Sequence, residues 1–545
     1  MSDYREIAFE DWSLDKVLEW RSRLTPEAPF LSFLDGPALS FAEVSDKAAA
    51  RAEQLDAAGV RQGTVVALLL PNSIEHVILW FAINLLGAAD APVNPAFVGA
   101  PLEHAFNLVE AEIAIVEGSL VERVISSAPH LKHLRKVLYV GGEPQLSSGM
   151  ALRTQRLHPT QLANGTYRST ALKPSDLTSI LFTSGTTGPS KGVMVTQAQA
   201  FLTARQTAEG LAVSGEDVYY CSHPLFHMSP RFCAVYTALL TGAKVSLDTR
   251  FSAADWLERV RRCGATVTIG HGPLLEMIHA QPESSDDSDN PLTRLGTSPF
   301  PKHIAADFER RFGLKGVETW GMTEINIPCW HPMDEPLRPG SCGRLREEWY
   351  ELQVVDPDTD QPLPAGQVGE FVIRPKLPWI VSPGYYKNPD ATLRAWRNLW
   401  FHTGDSGYLD EEGWAFFVDR LGDRIRRRAE NISSYDIELV ANGLSEVLES
   451  AAVGVPSGFV SDDDIKLCVV LHKGADFDPA SLLTRMAAKL PHHMVPRYVE
   501  RLDAMPRTPT QKIRKSVLRQ TGVSAATWDR KANGFDLMAV KQGHA

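Results

Sequence analysis

Thr183-Ser184-Gly185-Thr186-Thr187-Gly188-Pro189-Ser190-Lys191-Gly192 decides how this chain is read. Glycines let backbone N–H groups turn tightly around an anion and approach it closely. Three threonines and two serines add hydroxyl donors, and Lys191 adds a mobile point charge suited to phosphate. Residues 178–182 (TSILF) before the run and 193–195 (VMV) after it read as buried strands. A polar loop held between two such strands is a cradle for a polyphosphate, and the expected ligand is ATP. The spacing is not that of a P-loop, because Lys191 stands between Ser190 and Gly192 instead of closing a Gly-Lys-Ser/Thr element. A flexible Ser/Thr/Gly linker shares the composition, but the flanking strands and the single lysine speak against it.

Working outward, residues 65–70 (VVALLL) predict a buried strand and residues 77–86 an apolar helix after Pro71-Asn72-Ser73; a strand begins at residues 91–93. This is a βα unit of a parallel sheet. Similar units recur: strands at 218–221, 244–247 and 266–269, with helices near 232–240 and 253–263. Residues 281–290 (QPESSDDSDN) read as a solvated loop. After about residue 340, strands at 351–355 and 369–374 among Pro/Asp/Gly turns predict a small β-rich lobe. From residue 425 the pattern becomes helix (434–449), strand (451–455), strand (465–472) and helix (479–490), a compact α+β unit of ordinary domain size. The expected organisation is therefore α/β: a large N-terminal domain of stacked sheets with a β-lobe over residues 1–420, a smaller α+β domain over 421–521, and a loosely held tail over 522–545.

The 545 residues exceed what one core supports, and 44% apolar with 22% charged residues excludes wholesale disorder. A net charge of −11 disfavours nonspecific nucleic-acid binding, so an anionic ligand must be met by local positive groups. Cys221, Cys233, Cys263, Cys329, Cys342 and Cys468 form no CxxC pair and no zinc spacing, which suits a reducing cytosol. The first residues (MSDYREIAFEDW) are polar and acidic, unlike a secretory signal, and the longest apolar run is too short to span a bilayer. No nucleic-acid or membrane partner is expected, the expected location is cytoplasmic, and monomer and homodimer both remain open.

Four further segments carry chemistry. Thr319-Trp320-Gly321-Met322-Thr323-Glu324 sets a hydroxyl beside a carboxylate, able to hold a phosphate oxygen and Mg²⁺. His402-Thr403-Gly404-Asp405 offers a carboxylate on a tight turn, suited to both hydroxyls of a ribose. Residues 419–438 form a basic loop running into a helix, and residues 506–515 (PRTPTQKIRK) present Lys512 on a loop stiffened by prolines. Taken singly, each has an ordinary explanation: a capping carboxylate, a turn residue, a solvated basic face, a surface lysine. Their order together with the phosphate loop resembles the adenylate-forming superfamily of acyl-CoA ligases, adenylation domains and luciferases, over roughly residues 20–520. Leu39-Ser40-Phe41-Ala42-Glu43-Val44 and Pro92-Val93-Asn94-Pro95 also match. Asn431-Ile432-Ser433-Ser434, Phe401-His402-Thr403-Gly404-Asp405 and Thr508-Pro509-Thr510-Gln511-Lys512-Ile513 look most like the crotonobetaine/carnitine–CoA ligase-type group.

The resemblance implies two half-reactions: a carboxylic acid and ATP give acyl-AMP and pyrophosphate, then CoA gives acyl-CoA and AMP. An acyl-adenylate donor to a carrier-protein phosphopantetheine is the alternative. By resemblance, Thr183, Ser184, Gly185, Thr186, Thr187, Gly188 and Lys191 hold the β- and γ-phosphates. Glu324 binds Mg²⁺, Thr323 contacts the α-phosphate, and Asp405 with Arg420 grips the ribose. Trp320, with Gly296, Thr297, Ser298 and Pro299, brackets adenine, and Gly321 is counted with the cofactor-binding residues. Lys512 bridges the carboxylate and the α-phosphate. The small domain then rotates about a hinge, Gly422 here, and the loop carrying Arg426 and Arg428 meets the phosphates of CoA. Two departures stand out: Ala429 replaces a glycine that lines the pantetheine path, and Gln511 replaces a glycine before the catalytic lysine. His223-Pro224-Leu225-Phe226-His227 falls where relatives keep the acyl pocket, and His227 is counted with the catalytic set. Amino-acid-activating relatives carry aspartate at that place, so an aliphatic, cyclic or aromatic acid is expected instead of an α-amino acid. Met228, Phe232, Cys233 and Tyr236 are candidate pocket walls, with helix packing as their commoner use.

Overall fold

The computed structural model describes residues 3–144, 152–158, 170–183, 190–421, 425–427, 430–432, 434–457, 463–508, 512–535 and 537. Ser184, Gly185, Thr186, Thr187, Gly188, Gly422, Arg428, Ala429 and Gln511 lie outside these residues, as does the side chain of Arg426.

Ile74–Leu85 explains the architecture. Ser73 caps it through the backbone N–H of His76, and ten of its residues are buried. A helix buried all round must be covered on every side, and here a sheet lies on each side of it. A seven-stranded sheet runs in the order Arg153–Arg156, Lys136–Val140, Ile113–Glu117, Val65–Leu69, Ala89–Pro92, Leu177–Thr183, Lys191–Thr196. A nine-stranded sheet contains, side by side and all parallel, Lys244–Leu247, Val218–Cys221, Val267–Gly270, Arg294–Thr297 and Lys315–Met322. One apolar core joins facing sides of both sheets to Ile74–Leu85, Gln197–Gly210 and the segment after residue 228. The expected βα units are therefore present, and the fold is α/β with stacked sheets.

That middle layer is not wholly apolar. Arg231, fully buried, donates to Asp90 Oδ1 at 2.7 Å and Ser179 Oγ at 3.0 Å, with its guanidinium 4.1 Å from the Trp80 ring centroid.

An antiparallel lobe follows, built from Tyr350–Val355, Gly369–Pro375, Trp400–Leu409, Trp396–Arg397 and Ala415–Arg420. A separate core begins at Ile425, around the sheet Val447–Pro456, Asp463–Leu471, Tyr498–Arg501, Trp528–Asp529.

Four local expectations are corrected. The helix expected over 434–449 stops at Asn442, because Val447–Pro456 pairs along its length with Asp463–Leu471. The helix near 232–240 opens as a π-helix, Ser229–Tyr236, before the α-helix Thr237–Thr241. Asp405 sits inside the strand Trp400–Leu409, which kinks at Gly404 (φ 70°), and not on a free turn. Of the segment expected to be loosely held after Gly522, the described part is tied down: Trp528–Asp529 pairs with Tyr498 and Val499, Arg497 holds Asp529 at 2.9 Å, and Leu537 enters the second core.

Candidate active site

The carboxyl ends of parallel strands are where open α/β sheets bind ligands, since the backbone turns outward there at helix N-termini. In the nine-stranded sheet four neighbouring parallel strands end together. Val218–Cys221 leads to His223 and His227, and Val267–Gly270 to His271. Arg294–Thr297 leads to Ser298 and Pro299, and Lys315–Met322 to Thr323 and Glu324.

Thr183 and Lys191, which flank the undescribed part of the phosphate-loop candidate, stand on paired strands. Leu177–Thr183 and Lys191–Thr196 are antiparallel, with Thr183 opposite Lys191. Lys191 extends its ammonium to 4.6 Å from the Tyr385 ring centroid, and the Tyr385 hydroxyl donates to Glu324 Oε1 at 2.9 Å. Sequence reasoning missed Tyr385. Its signal was Gly384: that residue has φ 136°, and an added Cβ would lie 2.4 Å from Thr392 Cγ2, so a glycine presents this tyrosine. The Gly384 carbonyl accepts from the Met194 N–H and Tyr386 donates to the Gly192 carbonyl, seating the pair on the hairpin.

Thr323 and Glu324 form the bend between Lys315–Met322 and Asn326–Trp330, with Asn326 at φ 65°. Gln199 Nε2 donates to the Thr323 carbonyl at 2.9 Å, and Ser382 N–H to the Glu324 carbonyl at 2.8 Å. Gly321 is required here, since a Cβ would fall 2.0 Å from the Asn326 carbonyl oxygen. Burial raises the Glu324 carboxyl above its ordinary range; Tyr385, Arg420 and Lys191 oppose that shift.

Asp405 is buried opposite Arg420 across two strands. Its Oδ2 accepts from the Trp320 indole N–H at 3.0 Å, and its Oδ1 lies 3.2 Å from Arg420 Nε without a hydrogen bond among the described residues. Burial raises this carboxyl, and Arg420 is the largest opposing influence. Trp320 is only 4% exposed and packs edge-on against Phe371, centroids 5.0 Å apart, so its indole serves to anchor Asp405. Gly296 and Thr297 lie in the adjacent strand, where Thr297 receives the Thr319 hydroxyl on its carbonyl at 3.2 Å.

Lys512 reaches this region from the second core. Its loop closes on itself: Thr508 N–H donates to the Lys512 carbonyl at 2.7 Å, Lys512 N–H to Thr508 Oγ1 at 3.1 Å, and Arg507 pairs with Ile513. The residue keeps surface open to solvent, yet the protein around its ammonium lowers its pKa, with Arg420 adding to the shift and Asp405 opposing it. The same ammonium bears on His227 and His271. Burial pushes His227 down to about 3 and His223 to about 4, so both imidazoles are neutral at physiological pH. Of the candidate pocket walls, Phe232, Cys233 and Tyr236 are fully buried core residues, with Phe232 against Trp80 and Tyr236 against Phe201. Met228 alone is partly buried.

The convergent set is thus Lys191, Glu324, Asp405, Arg420, Lys512 and His227, joined by Tyr385. It combines three cations with two carboxylates at strand ends, able to hold a polyphosphate nucleotide and a second anion. Among the described residues no group of three or more His, Cys, Asp or Glu could hold a metal, and no helix is long and apolar enough to cross a membrane.

Residues 18–386 match the family model described as AMP-binding enzyme, and residues 436–512 match the AMP-binding enzyme C-terminal domain. A crotonobetaine/carnitine–CoA ligase of Salmonella paratyphi A is 30% identical, covering 88% of this chain and 93% of the relative. The ATP-bound MatB structure from Rhodopseudomonas palustris superimposes with a TM-score of 0.80 at 25% identity, covering 92% and 98%. The O-succinylbenzoate coenzyme A synthetase (MenE) of Bacillus subtilis, in complex with AMP, shares the fold with a TM-score of 0.78 at 24% identity, covering 95% and 99%.

Proposed function

This chain belongs to the AMP-binding enzyme family, an AMP-forming ligase family, and we propose that it joins a carboxylic acid to CoA in two steps. In the first, the carboxylate attacks the α-phosphorus of ATP and pyrophosphate leaves, giving an acyl-adenylate. In the second, the CoA thiol displaces AMP. The observation that supports this reading is that the Lys512 ammonium, on a loop that follows the second core's strand Tyr498–Arg501, lies within electrostatic reach of Asp405, Arg420 and His227 at the strand ends of the first.

Joining two anions demands charge neutralisation and positioning above all. Asp405 is suited to a ribose: Trp320 fixes one oxygen and the other remains open to hydroxyl donors. Lys191 and the hydroxyl-rich run before it meet the terminal phosphates. Glu324 is the residue to hold Mg²⁺. One buried carboxylate orientated by Tyr385 fits an ion that takes one or two carboxylates and fills its sphere with water and phosphate oxygens. When bound, Mg²⁺ supplies charge neutralisation on the polyphosphate. Lys512 bridges the acid's carboxylate and the α-phosphate, and Thr323 sits beside them. His227 faces the acyl group, and its neutrality avoids repelling Lys512. For the second step the Lys512 loop withdraws, and the segment bearing Arg426 and Arg428 meets CoA.

A pyrophosphate-release screen over carboxylic acids, with and without CoA, tests the reading. Acid-dependent pyrophosphate, followed by thioester and AMP only when CoA is added, is the expected result. Thioester on a phosphopantetheinylated protein but never on CoA would replace it with the carrier-protein alternative. Absence of AMP among the products would remove it.

A further inference from the structure

Two imidazoles beyond neighbouring strand ends, His223 and His271, are left unexplained by the ligase reading. His223 follows the strand Val218–Cys221, and its loop is fixed through the backbone: Asn72 Nδ2 donates to the His223 carbonyl at 2.9 Å, and Leu225 N–H to Asn72 Oδ1 at 2.8 Å. The His223 ring takes no part in that anchoring. The residue is 8% exposed, and neither ring nitrogen has a hydrogen-bond partner among the described residues. Leaving a buried polar atom unpaired is costly, so a ring with two such atoms points to a partner that arrives from outside.

His271 supplies the other half. It stands ahead of the helix Gly272–His279, at the end of the strand next to the one that leads to His223. Burial keeps this imidazole neutral, so it carries one N–H and one lone pair. The two rings meet edge to face, centroids 4.9 Å apart and planes at 88°. Together the two neutral rings can offer an N–H from one and a lone pair from the other. A carboxylate could use only the donor, and an alkyl chain neither. A hydroxyl uses both, accepting from one ring and donating to the other.

We propose that the acid activated by this enzyme carries a hydroxyl near its carboxyl group, held between His223 and His271, and that these two histidines determine acid specificity. The proposal rests on the ligase reading and names the substrate class of the same site.

The test is pyrophosphate release by the full-length enzyme on matched acids: 3-hydroxybutyrate against butyrate, and 2- and 4-hydroxybenzoate against benzoate. At least one hydroxy acid should exceed its unsubstituted partner roughly tenfold or more in kcat/KM, the behaviour of a site whose polar groups are otherwise unpaired. His223→Leu should erase or reverse that preference while the KM for ATP stays put. His271→Val provides the same comparison should His223→Leu not fold. Pyrophosphate release with no hydroxy acid preferred, or a variant that slows both members of the preferred pair equally, would overturn the inference and leave the ligase reading standing. No pyrophosphate from any acid would overturn both.

Discussion

The two ends of the site are built on opposite terms. Where Asp405 and Glu324 sit, each carboxyl has one oxygen held by a neutral donor of the protein itself, the Trp320 indole for one and the Tyr385 hydroxyl for the other. Where His223 and His227 sit, the described residues give no partner to three of the four ring nitrogens. The first end is organised before any ligand arrives, which suits a nucleotide common to every turnover. The second is completed by its ligand, which suits selection among acids. Lys512 is coupled by charge to both, to Asp405 and Arg420 at one end and to His227 at the other.

Removing that shared group should have the largest effect. Lys512→Ala is expected to slow acid-dependent pyrophosphate release a hundredfold or more, about 3 kcal/mol, while supplied acyl-adenylate still passes to CoA. Equal loss of both steps would break the comparison, because Lys512 would then belong to neither end. Asp405→Asn keeps an acceptor for Trp320 but withdraws the charge facing Arg420. A charge-assisted contact is worth about 1.5–3 kcal/mol, so the KM for ATP should rise roughly tenfold to a hundredfold with acid preference unchanged. A change in acid preference would show that the two ends are not separable.

Acid titration probes the histidine end. The buried His223 is pushed from 6.5 to about 4, so between those values the unfolded chain takes up a proton that the native one refuses. Stability is thus lost as pH falls through that window. His223→Leu should flatten the fall, by about 1.4 kcal/mol per pH unit at most, measured as Tm of both proteins from pH 7 to pH 4.5. Identical slopes would mean that the ring is charged in the native state. The smallest expected effect belongs to Tyr385→Phe. It removes one donor from Glu324 and leaves the ring beside Lys191, for about 0.5–1.5 kcal/mol. That is a roughly two- to tenfold drop in kcat/KM, accompanied by a higher Mg²⁺ requirement. No change in the Mg²⁺ requirement would show that Tyr385 does not prepare the carboxylate.

Much of the framework was legible because its causes are local. Short apolar runs at 178–182 and 218–221 became Leu177–Thr183 and Val218–Cys221, and Ser73 announced the buried helix it caps. The errors also have local causes. The apolar spacing through residues 443–449 suits a helix as well as a strand, and cross-strand pairing with Asp463–Leu471 decided between them. Trp528 and Asp529 look like tail residues until Tyr498 and Arg497 supply their partners.

Residue type and order alone determined the family resemblance, the hydroxyl-rich loop, and the choice of Glu324, Asp405 and Lys512, since a phosphate-joining chemistry restricts which side chains can serve and where. Only the tertiary structure decided what each of them leans on: Tyr385 against Glu324, Trp320 turned inward to Asp405, Arg231 buried on Asp90, and His223 facing His271 from a neighbouring strand. Those contacts join segments far apart in the chain. Their energies depend on burial and distance, and neither exists until the sheets have stacked.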